Sequence, residues 1–265
     1  MTPTSVRDIR NLSLLGQSGS GKTTLLEKLL VTAGTIGAPG SVEKGDTVSD
    51  YDPQEKTLGH SLNSALAHLE WAEHWVNILD TPGLPDFLGR ALATLPAVET
   101  AVVVINATAG VETVTRKVME AAAGQCRMIV VNRIDAPGVD FAALMERISA
   151  SFGKECLPIN LPTAGGAGVI DCFFKPDYDA VPAFSSVREA HDRIVDQVVE
   201  VDEELMALYL EQGESLQPEQ LHDPFEQSLR EGHLIPVCFT SARSGAGITE
   251  LLDIMGRLLP DPTEG

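Results

Sequence analysis

Short apolar runs alternate with helical periodicities along most of this chain, and the alternation predicts its architecture. Residues 10–15 ("RNLSLL") read as a short buried strand ended by a Gly-rich turn. Leu25, Leu26, Leu29 and Leu30 then recur at helical spacing, which predicts a helix from about Lys22 to Ala33. Further strands are expected at residues 62–71, 75–79, 101–106, 128–132 and 235–239. Helical patterns fall between them, near 86–95, 111–123, 141–152 and 248–259. Strands alternating with helices through right-handed crossovers imply an α/β fold, a mostly parallel sheet with helices on both faces. Between Gly34 and Ser61 the chain is rich in Gly, Pro and Asp and shows no period. A loop that long in a compact domain is expected to be mobile or functional.

Charge divides the chain. The 265 residues carry a net charge of −19. Residues 171–231 hold sixteen acidic and four basic side chains, and the rest twenty-two and fifteen. This shift marks an acidic α/β insert subdomain, placed at residues 164–233, within a larger domain made of residues 1–163 and 234–260. Residues 187–209 are expected to form one acidic helix inside it. Pro260-Asp261-Pro262 ends the last helix, and 261–265 reads as the start of a linker to downstream domains. The acidic balance argues against direct nucleic-acid binding by this domain. The longest apolar run, 98–107, is too short to span a bilayer, and residues 1–11 lack a signal-peptide core. Cys126, Cys156, Cys172 and Cys238 are scattered without a Cys-x-x-Cys pair, as expected of reduced thiols in a cytoplasmic protein.

Three motifs carry chemistry. Gly16-Gln17-Ser18-Gly19-Ser20-Gly21-Lys22-Thr23, followed by Thr24, fits the phosphate-binding P-loop pattern and opens the first helix. Its main-chain amides form an anion nest, Lys22 reaches the β/γ oxygens, and the Thr23 hydroxyl binds Mg²⁺. ATPases, kinases and GTPases all remain open at this point. Asp80-Thr81-Pro82-Gly83 ends a strand in the manner of the loop that watches a γ-phosphate. Asn132-Arg133-Ile134-Asp135 ends a later strand and suits guanine: the carboxylate accepts from N1–H and the exocyclic amine, Asn132 ties the base-side loops, and Arg133 stacks on the purine. Ser241-Ala242-Arg243 fits the remaining guanine loop.

The chain resembles the GTP-binding domain of elongation factor G over nearly its whole length. The stretches "RNLSLLGQSGSGKTTLLEKLL", "SDYDPQEKTLGHSL", "VNILDTPG", "VVVINATAGVE", "VVNRID", "VDEELMALYLEQ" and "LREGHLIPVCFTSA" carry the likeness. The resemblance implies a P-loop NTPase fold that binds GTP or GDP with Mg²⁺ and acts on the ribosome as a monomer. The metal would be held by Thr23, by Ser61 of the mobile loop, and by Asp80 through water. It also implies that the acidic helix at 187–209 meets the ribosomal stalk protein.

The chain departs from the family pattern at several of these positions. An Asp expected in the P-loop is Gly19, the loop threonine is Ser61, and the catalytic His is Leu84, which cannot orient water. The apolar residues that gate that His correspond to Ser18 and His60. Two readings of His60 follow: it takes over part of the imidazole's role, or it is an exposed loop residue in a site that has lost efficient hydrolysis. Either way hydrolysis by this domain alone is expected to be slow. A guanine-nucleotide module that regulates without turnover is the rival reading. An ATP-dependent P-loop enzyme is disfavoured by Asn132 and Asp135.

Overall fold

The computed structural model describes residues 5–201, 205, 206, 209 and 218–264. Seven strands among them form one sheet. β1 (Ile9–Leu15), β3 (His74–Asp80), β4 (Thr100–Asn106), β5 (Cys126–Asn132), β9 (Ile235–Phe239) and β6 (Cys156–Pro158) run parallel, and β2 (Ala65–Trp71) pairs antiparallel to β3 at the edge. Their spatial order is β2-β3-β1-β4-β5-β9-β6. The expected α/β fold, mostly parallel with both faces covered, is the observed one.

β4 shows why its sequence is apolar without alternation. Val102 and Val104 face one layer, with Leu25, Leu26 and Leu29 of α1 (Lys22–Thr32) and Leu251 and Met255 of the C-terminal helix (Ile248–Arg257). Val103 and Ile105 face the other layer, with Val114 and Val118 of the helix Thr113–Ala121 and Leu144 and Ile148 of Phe141–Phe152. A strand covered on both faces must be hydrophobic on both.

Several elements differ from the sequence expectation. The supposedly aperiodic loop contains α2 (Pro53–Leu58), opened by a capping box from Asp52 and Glu55 and closed by left-handed Gly59. The helix expected at 86–95 is broken up: a 3-10 turn Pro85–Phe87, α3 (Leu88–Leu92) and a second turn Leu95–Ala97, with Pro85 and Pro96 in the first two positions of the two 3-10 turns. β6 and the antiparallel pair β7 (Asn160–Pro162) and β8 (Val169–Asp171) are three-residue strands with no readable period. With α3 (Leu88–Leu92) the third helix, Thr113–Ala121 and Phe141–Phe152 are α4 and α5. In the insert, α6 (Val187–Val199) ends with Glu200 as its C-cap instead of running on to residue 209. Residues 202–204, 207 and 208 of that expected helix lie outside the described residues. α6 packs on α7 (Pro218–Arg230), where Phe225 lies 4.5 Å, centroid to centroid, from Phe173. The C-terminal helix is α8. Beyond it, Pro260 and Asp261 are buried, and Glu264 pairs with Arg230 at 3.3 Å.

Among the described residues, no helix is long and apolar enough to cross a membrane. All four cysteines are free and buried. Burial pushes the Cys126, Cys156 and Cys172 thiols up to about 12 and raises Cys238 as well. The thiolate is the reactive form, so these groups are inert while the fold holds. The native chain is therefore expected to leave all four thiols unreacted with Ellman's reagent at about pH 8, and denaturant to release all four. Rapid reaction of any one in the native state would show that its layer opens.

Candidate functional site

Six parallel strands bring their carboxyl ends to one edge of the sheet, and the chemical residues sit in the turns that leave it. Gly16 follows β1 with φ +134°, and its backbone is pressed on the Val104 carbonyl so closely that a Cβ has no room. Gly21 caps α1, whose first residue is Lys22. The Lys22 ammonium turns back to donate to the Gly16 carbonyl at 2.9 Å and to that of Gln17 at 3.1 Å. Burial pulls its pKa down to about 8, against the opposing pull of Asp80. The Gln17 side chain accepts from the Val114 amide at 3.2 Å. The Ser18 amide donates to the Gly83 carbonyl at 2.8 Å, and a Cβ on Gly83 would run into Lys22 Nζ and that amide. Gly19 is exposed with open space around it, and Ser20 is buried.

Asp80 ends β3 almost fully buried. Its Oδ2 accepts from Thr23 Oγ1 at 2.7 Å and from Ser49 Oγ at 2.8 Å, while Oδ1, equally buried, has no hydrogen-bond partner. Burial raises its pKa, and Thr23, Lys22 and Ser49 oppose the rise. The neighbouring Thr81 hydroxyl donates to the Leu14 carbonyl at 2.6 Å, and Pro82 follows it, buried. A buried carboxylate oxygen without a partner, beside a threonine hydroxyl and an anion-binding turn, fits Mg²⁺. That ion commonly takes one or two carboxylates and completes its shell with water and phosphate. Among the described residues no group of three or more His, Cys, Asp or Glu could hold a metal. Of the three residues expected at the metal, the structure joins Thr23 and Asp80. Ser61 instead donates to Asp50 Oδ1 at 2.9 Å. Ser49 stands beside Asp80 with no sequence signal: it lies 31 residues away in an aperiodic loop.

The base side is organised by Asn132. Its Nδ2 donates to the Ser20 carbonyl at 3.0 Å, and its Oδ1 accepts from the amides of Arg133 at 2.8 Å and Ala242 at 3.0 Å. One buried amide thus joins the phosphate turn, its own loop and the 241–243 loop. Asp135 Oδ1 accepts from Ser241 Oγ at 2.6 Å. Thr24, Asn132, Arg133, Asp135 and Arg243 line one wall of a cavity of about 500 Å³. Gly40, Ser41, Glu43 and Thr47 form the other wall, which no sequence motif marks. The Glu43 carboxyl is held below its usual range, first by the Ser41 hydroxyl and further by Arg243 and Arg133. The buried Glu27 carboxylate of α1 anchors this wall by accepting from the amides of Gly40 at 2.7 Å and Val48 at 2.6 Å.

Leu84 is half-buried and extended, at the entry to the 3-10 turn Pro85–Phe87. The His60 ring lies 6.4 Å from the Phe87 ring, centroid to centroid, which sets the loop's imidazole beside the segment that carries Leu84.

The family model "Elongation factor Tu GTP binding domain" matches residues 7–261. An elongation factor G-like protein of Mycobacterium tuberculosis is 34% identical over 97% of this chain and 38% of its own length. An elongation factor G-like protein of Thermotoga maritima is 31% identical over 98% of the chain and 39% of its own. A crystal structure of a Thermus thermophilus protein superposes with a TM-score of 0.87 at 35% identity, covering 98% of this chain and 41% of that one. The chain therefore spans about two fifths of the length of the curated relatives it matches.

Because Asn132 serves three loops, Asn132→Ala leaves buried main-chain groups without partners. Such a loss is expected to destabilise the nucleotide-free chain by about 2–3 kcal/mol in chemical denaturation. A change below about 0.5 kcal/mol would show that water or a loop shift replaces the amide.

Proposed function

The chain belongs to the elongation factor Tu GTP-binding domain family, as an elongation factor G-like member, and we propose that it is a Mg²⁺-dependent guanine-nucleotide switch acting on the ribosome. The convergence of Asn132, Asp135 and Ala242 on the cavity beside the phosphate turn, with Ser241 bonded to Asp135, carries this reading. Guanine offers the Asp135 carboxylate its N1–H and 2-amino donors side by side, and adenine lacks both of these groups. Arg133 stacks on the base, and a main-chain amide of the 241–243 loop donates to O6. The amides at the start of α1 hold the β-phosphate, and Lys22 pairs with the β/γ oxygens. Mg²⁺, bound by Thr23 and through water by Asp80, would neutralise charge between the phosphates. GTP orders the loop at residues 40–61 and hydrolysis releases it.

The insert at 164–233 belongs beside the nucleotide domain as a separate subdomain. The α6 surface, with Glu189, Asp196 and Glu200 exposed, is the part that meets the ribosomal stalk protein. The protein works in the cytoplasm as a monomer, and domains of the full-length factor make the nucleic-acid contacts that a charge of −19 disfavours here. A second reading, a guanine-nucleotide module that docks without turnover, is favoured by Leu84. Its side chain neither accepts a proton nor orients water.

Two measurements test these readings. An ammonium must be charged to hold phosphate, and Lys22 sits at about 8 in the unliganded chain. Bound phosphates raise that value, so binding takes up a proton above it. Affinity for a fluorescent GDP is thus expected to be nearly flat below about pH 7.5 and to fall towards tenfold per pH unit above about 8. GTP should displace the probe and ATP should not; displacement by ATP would remove the guanine assignment. The second measurement is single-turnover GTP hydrolysis, with and without ribosomes. Leu84→His is expected to raise the rate by roughly 100-fold or more, the usual contribution of a positioned imidazole. Loss of the residual rate in His60→Ala, with GTP binding intact, would identify His60 as its source. An unchanged rate would leave a binding switch with poor hydrolysis.

A further inference from the structure

The loop between α1 and β2 is built around three buried carboxylates, each holding a different part of it. Glu27 holds the amides of Gly40 and Val48. Glu55 accepts from the amides of Leu62 and Asn63 at 2.8 and 2.9 Å. Asp50 receives the hydroxyls of Thr47 at 3.0 Å and Ser61 at 2.9 Å. Ser61 is thereby bonded inside its own loop. Ser49, almost fully buried between these anchors, points instead across to β3 and donates to Asp80 Oδ2 at 2.8 Å.

We propose that Ser49 is the hydroxyl that tethers the loop to the carboxylate of the magnesium site, acting as a positioning residue for Asp80. This rests on the nucleotide reading given above. A hydroxyl has one proton to donate, and a carboxylate oxygen has two lone pairs. Thr23 and Ser49 together fill Oδ2, one from the phosphate turn and one from the loop. The carboxylate cannot rotate without breaking both bonds, so Oδ1 is the oxygen left to face the cation or its water. It is the buried atom that has no hydrogen-bond partner. The same bond couples the loop to the metal site from the loop's middle, twelve residues before the position that the family pattern suggests. Glu27 holds the adjacent Val48 amide at 2.6 Å, so the Ser49 backbone is fixed at α1 while its side chain reaches β3.

The test uses Ser49→Ala and Ser49→Thr in the 265-residue chain, with thermal unfolding to confirm that each is folded. The first readout is the Mg²⁺ concentration that half-suppresses release of a fluorescent, non-hydrolysable GTP analogue, the nucleotide state in which the loop is ordered. Ser49→Ala is expected to raise it by roughly 3- to 10-fold, the net worth of one ordinary hydrogen bond, and Ser49→Thr to restore it. The second readout needs no nucleotide: trypsin cleavage after the exposed Lys44 and Lys56. Ser49→Ala is expected to speed it several-fold, because the tether to Asp80 is gone, and Ser49→Thr to return it to the native rate. An unchanged Mg²⁺ dependence in Ser49→Ala would overturn the assignment. So would native cleavage rates in Ser49→Ala. Absence of GDP binding by the native chain would bring down the nucleotide reading itself. In that case the trypsin pattern still decides whether Ser49 tethers the loop.

Discussion

The register of the parallel strands is the constraint on which every other feature depends. Leu14 lies opposite Asp80, Asn106 opposite Asn132, and Val131 opposite Phe239. These pairings bring the phosphate turn, the Asp80 loop, the Asn132 loop and the 240–243 turn to one level at one edge of the sheet. A slip of one residue in β3 would send Asp80 to the opposite face and replace it with Leu79 or Thr81. Register in turn is set by burial, since both faces of β1, β4 and β5 lie in hydrophobic layers. Site geometry is therefore held by the core on either side of the sheet. The polar groups of the site add cross-ties between neighbouring turns, such as Thr81 to Leu14 and Asn132 to Ser20.

Burying charge at that edge has electrostatic consequences that oppose each other. Lys22 and Asp80 are both shielded from water, and burial works against the charged form of each, lowering the first and raising the second. Each partly restores the other's charge. Two hydroxyls and the attraction of Lys22 support the carboxylate, and two main-chain carbonyls hold the ammonium. On the proposed reading, a nucleotide phosphate with its cation would supply to both groups the counter-charge that solvent cannot.

How much of this can be read from the chain depends on the range of the interaction. The phosphate turn, α1, Asp80 and Asn132–Asp135 are readable because each is a local pattern: a motif at fixed spacing, or leucines at one helical period. The strands buried on both faces announce themselves as apolar runs. α2 escapes such a reading although its signals are present, Asp52 and Pro53 at one end and Gly59 at the other. At six residues it is too short to show a period. β6, β7 and β8 are three residues each and carry prolines at their ends or none of the alternation that marks a strand. Ser49 is beyond reach for a different reason. A serine in a polar loop looks like every other, and only the closed loop brings it to a carboxylate on β3.

The same geometry separates binding from catalysis. Gly83 is fixed by the Ser18 amide and by close contact with Lys22, and the following backbone is fixed by Pro85 at the start of its 3-10 turn. The main-chain path through Leu84 is thus determined by its neighbours, and its side chain contributes little to holding it. On the proposed reading, an imidazole at that position would be exchangeable for an isobutyl group without disturbing the phosphate turn, Asp80 or the base pocket. Binding groups here are main-chain amides and buried anchors, each with a second, structural partner that makes it costly to change. The group that would place water has no such partner. A site of this construction would, on that reading, keep its nucleotide affinity under substitutions that change its turnover, and Leu84 with His60 across from Phe87 would be one such combination.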